Sequence, residues 1–100
     1  MPMGQGVSGY KLKTMGGKSY RINTTTSHSI LPTGMPNSVT QKLDKDGNLE
    51  KERYYDENGH ATIDIDYTDH GNPKLHPKVP HIHKWDWSDP NNPKRSSYDD

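Results

Sequence analysis

Apolar and polar positions alternate in two parts of this chain, and the alternation predicts strands. In YKLKTMGGKSYRIN (10–23), Tyr10, Leu12, Tyr20 and Ile22 take even positions on either side of Gly16-Gly17. A period of two interrupted by Gly-Gly is the pattern of a hairpin. Further on, LDKDGNLEKERY (43–54) and YDENGHATIDID (55–66) form a weak repeat that aligns Asp44 with Asp56, Asp46 with Asn58 and Gly47 with Gly59. Asp-Gly and Asn-Gly are strong hairpin signals because both central residues of a type I′ turn need positive φ. The prediction is a three-stranded antiparallel meander over 38–44, 49–56 and 60–67. Two-residue turns set its register. Tyr54 then faces Val39 and Ile63, with Ala61, Ile65 and Tyr67 on the same side. Arg53 pairs with Asp64 and Lys51 with Asp66 on the other side, beside Thr40, Lys42, Tyr55 and Thr62. One side is expected to be core and the other a charged surface facing water.

Between these units, TTTSHSILPTGMPN (24–37) is a loop by composition, broken at Pro32, Gly34 and Pro36, with room for at most a short helical turn. No stretch holds a 3.6-residue period for more than two turns. After Tyr67 the chain is punctuated by prolines until IHKWDW (82–87) offers a last strand, and SDPNNPKRSSYDD reads as a polar tail. The expected fold is mostly β or α+β: a small antiparallel sheet of four to five strands, built from the hairpin and the meander. The domain organisation is a flexible N-terminus (1–9), a single small domain (10–87) and a flexible C-terminal tail (88–100).

Composition narrows the function. With 100 residues, 26 % of them hydrophobic, and no Phe or Cys, the core must be small and drawn largely from six Tyr and two Trp. The 13 basic and 13 acidic residues cancel, which argues against nucleic-acid binding through overall charge and leaves a local basic patch as the route. Without Cys, a metal site needs His, Asp or Glu. No apolar run approaches a membrane span, and MPMGQGVSGY lacks the regions of a signal peptide. A soluble, cytoplasmic protein is the default, with virion association or export without a cleaved signal left open.

The candidate chemistry lies in DHGNPKLHPKVPHIH (69–83), which holds four of the six histidines and three prolines. On an extended segment His81 and His83 point to one face, a common way to present two metal ligands, and His70 and His76 would complete a site for zinc or another divalent ion. Asp69 would be a ligand or would orient one. The bland alternative is a set of loop histidines hydrogen-bonded to backbone. A second chemistry is acid–base work: an imidazole with an unperturbed pKa of about 6.5 exchanges protons near neutrality. Cleavage of a phosphodiester needs such groups together with a cation for the developing charge. Lys51, Arg53, Lys74, Lys78 and Lys84 are the candidate cations for binding such a substrate, although solvation is the usual fate of a lysine. Trp85 and Trp87 should face one way, more as core than as a stacking platform.

The residues RYYDENG and DIDYTDHGNPKLHPKVPHIHKWDW, together with LPTGMPNSVTQ, resemble a C-terminal module of Gram-positive bacterial and phage proteins, where it follows phage head-associated or polymorphic-toxin-like regions. The resemblance spans roughly residues 31–87, and its specific part is D-H-G-x-P…H-P…P-H-x-H. It implies a compact effector, a nuclease-type toxin, with Asp69, His70, His76, His81 and His83 as functional positions. Nucleic acid, an immunity protein and a phage structural protein are the implied partners. Two functions are carried forward: a His-based phosphodiesterase acting on nucleic acid, and a non-enzymatic phage or mobile-element binding module whose histidines hold a metal or pin a loop.

Overall fold

The structure, a computed structural model, describes residues 11–68 and 80–96. The expected N-terminal arm (1–9) lies outside these residues, as do 69–79 and 97–100. The described chain is all β. Its strands are β1 (Leu12–Met15), β2 (Lys18–Thr25), β3 (Ser38–Leu43), β4 (Leu49–Tyr55), β5 (Ala61–Asp66), β6 (His81–Asp86) and β7 (Lys94–Arg95). They form one seven-stranded sheet in sequence order. Among the described residues no helix is long and apolar enough to cross a membrane.

The β-rich fold agrees with the pattern, but the sheet is larger than a hairpin plus a meander, and it is mixed. β2 and β3 run parallel, Ile22 beside Val39 and Thr24 beside Gln41, while every other neighbouring pair is antiparallel. A parallel pair needs a crossover of about a dozen residues, and the loop 26–37 supplies it. The chain beyond Trp87, expected as a tail, contributes β7, which pairs Arg95 with Trp85 and Lys94 with Asp86.

The first hairpin turns at Gly16 and Gly17, both at positive φ (61° and 81°). A two-residue turn pairs odd with even positions, so Leu12 lies opposite Arg21, and Lys13 opposite Tyr20. The even-position stripe therefore splits: Tyr20 is buried while Leu12 is 65 % exposed.

The meander pairs as expected, although its turns are of another kind. At Asp44–Asn48 the Gly47 amide donates to the Asp44 carbonyl at 3.0 Å, and the Asp44 amide donates to the Asn48 carbonyl at 2.9 Å. Asp56–His60 repeats both bonds at 3.0 and 2.9 Å. Only the glycines take positive φ, Gly47 at 86° and Gly59 at 76°. Each connection is thus a three-residue loop ending in a left-handed Gly. The carboxylates of Asp44 and Asp56 hold the loops, each accepting two backbone amides at 2.8–3.0 Å. The extra loop residue would displace every later pair, yet Lys51 still meets Asp66, Arg53 meets Asp64 and Tyr54 meets Val39 and Ile63. A bulge after each turn restores the register: Glu50 is passed over between Leu49 and Lys51, and Thr62 between Ala61 and Ile63. Glu50 and Thr62 are equivalent positions of the repeat, so the repeat encodes the compensation together with the turn. Ala61, expected beside Ile63, instead pairs with Tyr55.

One face of the sheet carries the apolar cluster Tyr20, Val39 and Tyr54, with Met15, Ile22 and Ile65 against it. The Tyr20 and Tyr54 rings meet edge-on at 4.9 Å, a favoured aromatic geometry. Glu52 interrupts this face and is fully buried. It accepts from Lys13 Nζ at 2.7 Å, Gln41 Nε2 at 2.8 Å and the Tyr67 hydroxyl at 2.8 Å.

The opposite face is not the solvent-facing surface the pattern suggested. The crossover lies over it: Gly34 N–H bonds the Gly59 carbonyl at 2.8 Å, Ala61 N–H bonds the Pro32 carbonyl at 2.9 Å, and the Tyr55 hydroxyl donates to the Leu31 carbonyl at 2.7 Å. Beneath and beside the loop, Ser38, Arg53, Tyr55, Asp64, Asp66, His81 and His83 are all buried. Polar side chains can line such an interior only when they satisfy one another, and that requirement shapes the site.

Candidate functional site

Strand register arranges the polar face as rungs. Lys42, Lys51, Asp66 and His81 lie side by side across β3 to β6, and Thr40, Arg53, Asp64 and His83 form the next rung. In the second rung Asp64 is the hub. Its carboxylate accepts from Arg53 Nε at 2.7 Å and Nη2 at 2.8 Å, Trp85 Nε1 at 3.0 Å and Arg95 Nη1 at 3.1 Å. The Arg53 guanidinium also donates to the Ile30 and Leu31 carbonyls of the crossover and lies 4.7 Å above the Trp85 ring. Bidentate pairing and stacking are the contacts that suit Arg to a buried ion pair. Trp87 donates to the Ala61 carbonyl at 2.7 Å and stacks on His60 at 4.1 Å. Both tryptophans are only half-buried and lie outside the apolar cluster, where the sequence pattern expected core.

The first rung opens at one end. His28, Lys42, Glu50, Lys51, Asp66 and Thr68 line a cleft of about 190 Å³. A wider one of about 520 Å³ adjoins it through His28, Lys42 and Glu50. Lys42 pairs with Glu50. Asp66 accepts the amide and hydroxyl of Thr68 at 3.0 and 2.7 Å. Burial first, then the Arg95 and Arg53 charges, hold the Lys51 ammonium below the usual lysine range against the opposing pull of Asp64 and Asp66.

The sequence-derived positions distribute as follows. His81 and His83 share one face, as their spacing requires, and they are 3 % and 5 % exposed. His83 Nδ1 lies 2.9 Å from the Ser96 carbonyl. Lys51 lines the cleft. Arg53 is engaged inside the ion pair, and Lys84 is exposed on β6. Asp69, His70, Lys74, His76 and Lys78 lie outside the described residues, so the described chain brings together two of the four proposed ligands. Among the described residues no group of three or more His, Asp or Glu side chains is placed to hold a metal ion. Sequence reasoning missed His28, which enters the cleft on the crossover, and Arg95, which sits in the supposed tail. Neither carries a local signal. Glu52 did carry one, a carboxylate on the Tyr54 side of β4 in register with Ile65.

Comparison with protein-family models, curated proteins and solved structures finds no match to this chain.

Two of the buried carboxylates, Asp64 and Glu52, predict an acid limit to stability. For Asp64, burial raises the carboxyl pKa, but hydrogen bonds from Arg53, Trp85 and Arg95 and the Arg53 charge outweigh it and hold it below the usual range. For Glu52, burial is likewise outweighed by Lys13, Gln41 and Tyr67. A folded-state pKa below the unfolded value adds stability above the unfolded pKa, and that stability is lost as pH falls through the folded one. The melting temperature should be level from about pH 7 to 5 and then fall as pH drops below about 4.5. Thermal unfolding across that range tests this. A flat profile down to pH 3 would mean that the two carboxylates gain nothing from their partners on folding.

Proposed function

We propose that this protein is a small phosphodiesterase of nuclease type that acts on nucleic acid at the cleft of the first rung. The supporting observation is the juxtaposition of His28, Lys51, Asp66 and Thr68 in one cleft, with His81 in the same rung. Phosphodiester cleavage needs a group that takes a proton, one that gives a proton and a cation beside the phosphate, and all three residue types are present there. The sequence runs on from Thr68 directly into the histidine-rich stretch 69–83, so His70 and His76 are the nearest further candidates along the chain. The effector setting implied by the residues of 31–87 agrees with this activity. An immunity protein or a phage structural protein would be its partner, and zinc or another divalent ion is an admissible cofactor.

The test is incubation of the purified protein with mixed RNA and DNA, with chelator and with zinc. Alanine at the acting acid or base, among His28, His70, His76 and His81, should lower the rate by roughly 10²–10⁴-fold. His60→Ala, at the other end of β5 against Trp87, should leave it nearly unchanged. A rate that survives chelation would mark a metal-free route, and one that stops would mark a metal-dependent route. Intact substrate under every condition would overturn the proposal. The second reading would then stand, a binding module in which His81 and His83 hold the polar interior together. What favours that reading is how little of either ring is exposed.

A further inference from the structure

Among the described residues, the charges of the polar face do not balance. Across the rungs and the cleft, Lys42, Lys51, Arg53 and Arg95 stand against Glu50, Asp64 and Asp66. Lys42 answers Glu50. Asp64 receives two guanidiniums, those of Arg53 and Arg95, where one would neutralise it. Lys51 is the β4 partner of Asp66, which keeps its full negative charge while its Oδ1 accepts the Thr68 amide and hydroxyl. Lys51, Arg53 and Arg95 thus share the two carboxylates of Asp64 and Asp66, and the one surplus positive charge lies among these three cations, on the side of the sheet where the cleft opens.

The geometry points to an oxyanion subsite of the phosphate class at Lys51, in the cleft it lines with His28, Thr68 and the Lys42, Glu50 and Asp66 side chains, and under the field of Arg95. Two features support it. Lys51 is half-buried, so its charge is screened less than that of a surface lysine. Arg95, with its side chain 35 % exposed, is anchored by Asp64 and by the β7–β6 pairing, so its charge is fixed near the site before any ligand arrives. An anchored cation needs little reordering on binding. Burial first, and then the Arg95 and Arg53 charges, hold the Lys51 pKa down although Asp64 and Asp66 pull it up.

This inference rests on the phosphodiesterase reading and names the group that would hold the substrate's phosphate. It can be tested apart from catalysis. The probe is inorganic phosphate, with sulfate as a second oxyanion, titrated into the full chain and followed by backbone and lysine-ammonium NMR signals. Saturable shifts are expected at Lys51, His28 and Thr68. Lys51→Met should weaken phosphate binding by about 10- to 100-fold, as for the loss of a charge-assisted hydrogen bond. Lys51→Arg should restore most of the binding, and Arg95→Met should weaken it less. Lys18→Met, which removes an equal charge from an exposed site on β2, should change nothing. A backbone spectrum that keeps its dispersion in each variant separates loss of binding from loss of fold.

Equal affinity in the wild type and Lys51→Met, or shifts spread evenly over all lysines, would overturn the subsite. Cleavage of nucleic acid that is indifferent to Lys51 would overturn the subsite and leave the phosphodiesterase standing. Phosphate binding at Lys51 without cleavage would do the reverse.

Discussion

Replacing Asp64 with alanine should cost about 3–5 kcal/mol, the loss expected when one partner of a buried ion pair is removed. The carboxylate is fully buried and is the common acceptor for Arg53, Trp85 and Arg95. Without it, the Arg53 guanidinium keeps the crossover carbonyls of Ile30 and Leu31 but stays buried with no counter-charge. Small domains have only about 5–15 kcal/mol in total, and a chain that is 26 % hydrophobic should lie toward the lower end. Most of the stability would go. Urea denaturation of Asp64→Ala and Asp64→Asn checks this, and the asparagine should lose less because it still accepts. A loss below about 1 kcal/mol for the alanine would match an exposed pair and would mean that water reaches the rung.

The second large effect is at Gly59, and the repeat supplies its own control. Gly47 and Gly59 occupy equivalent turn positions at φ 86° and 76°. A Cβ on Gly47 would meet nothing within 4 Å, whereas one on Gly59 would lie 2.3 Å from the Gly34 carbonyl oxygen. Valine at position 47 should therefore cost only the strain of a β-branched residue at positive φ, about 1–3 kcal/mol. At position 59 the crossover must also be pushed off the turn, and overpacking of this kind adds about 1–3 kcal/mol more. Unfolding midpoints of Gly47→Val and Gly59→Val should thus be clearly separated. Equal losses would mean that the crossover does not rest on the second turn.

These two sites also show how far the sequence could be read. The Arg53–Asp64 pair formed as the repeat suggested because the bulge at Thr62 cancels the extra residue of the turn. Its burial was not legible. The groups that cover it, the carbonyls of Ile30 and Leu31, belong to the backbone, and any residue type supplies a carbonyl. The same reasoning applies to Gly59. Its turn role is written in Asp-x-Asn-Gly, while its packing role depends on where Gly34 arrives from another part of the chain.

What the sequence determined by itself is local: the hairpin at Gly16-Gly17, the meander, and the shared face of His81 and His83. Even the bulges at Glu50 and Thr62 recur with the repeat. Turn chemistry and side-chain alternation act over a few residues, so a few residues suffice to specify them. Tertiary structure alone decided the parallel pairing of β2 with β3, the cover over the polar face, and the entry of His28 and Arg95 beside Lys51. A crossover of twelve residues has no pattern that names its destination. Its course is set by which orphaned donors and charges it can satisfy when it crosses the sheet, and those become neighbours only when the strands are assembled.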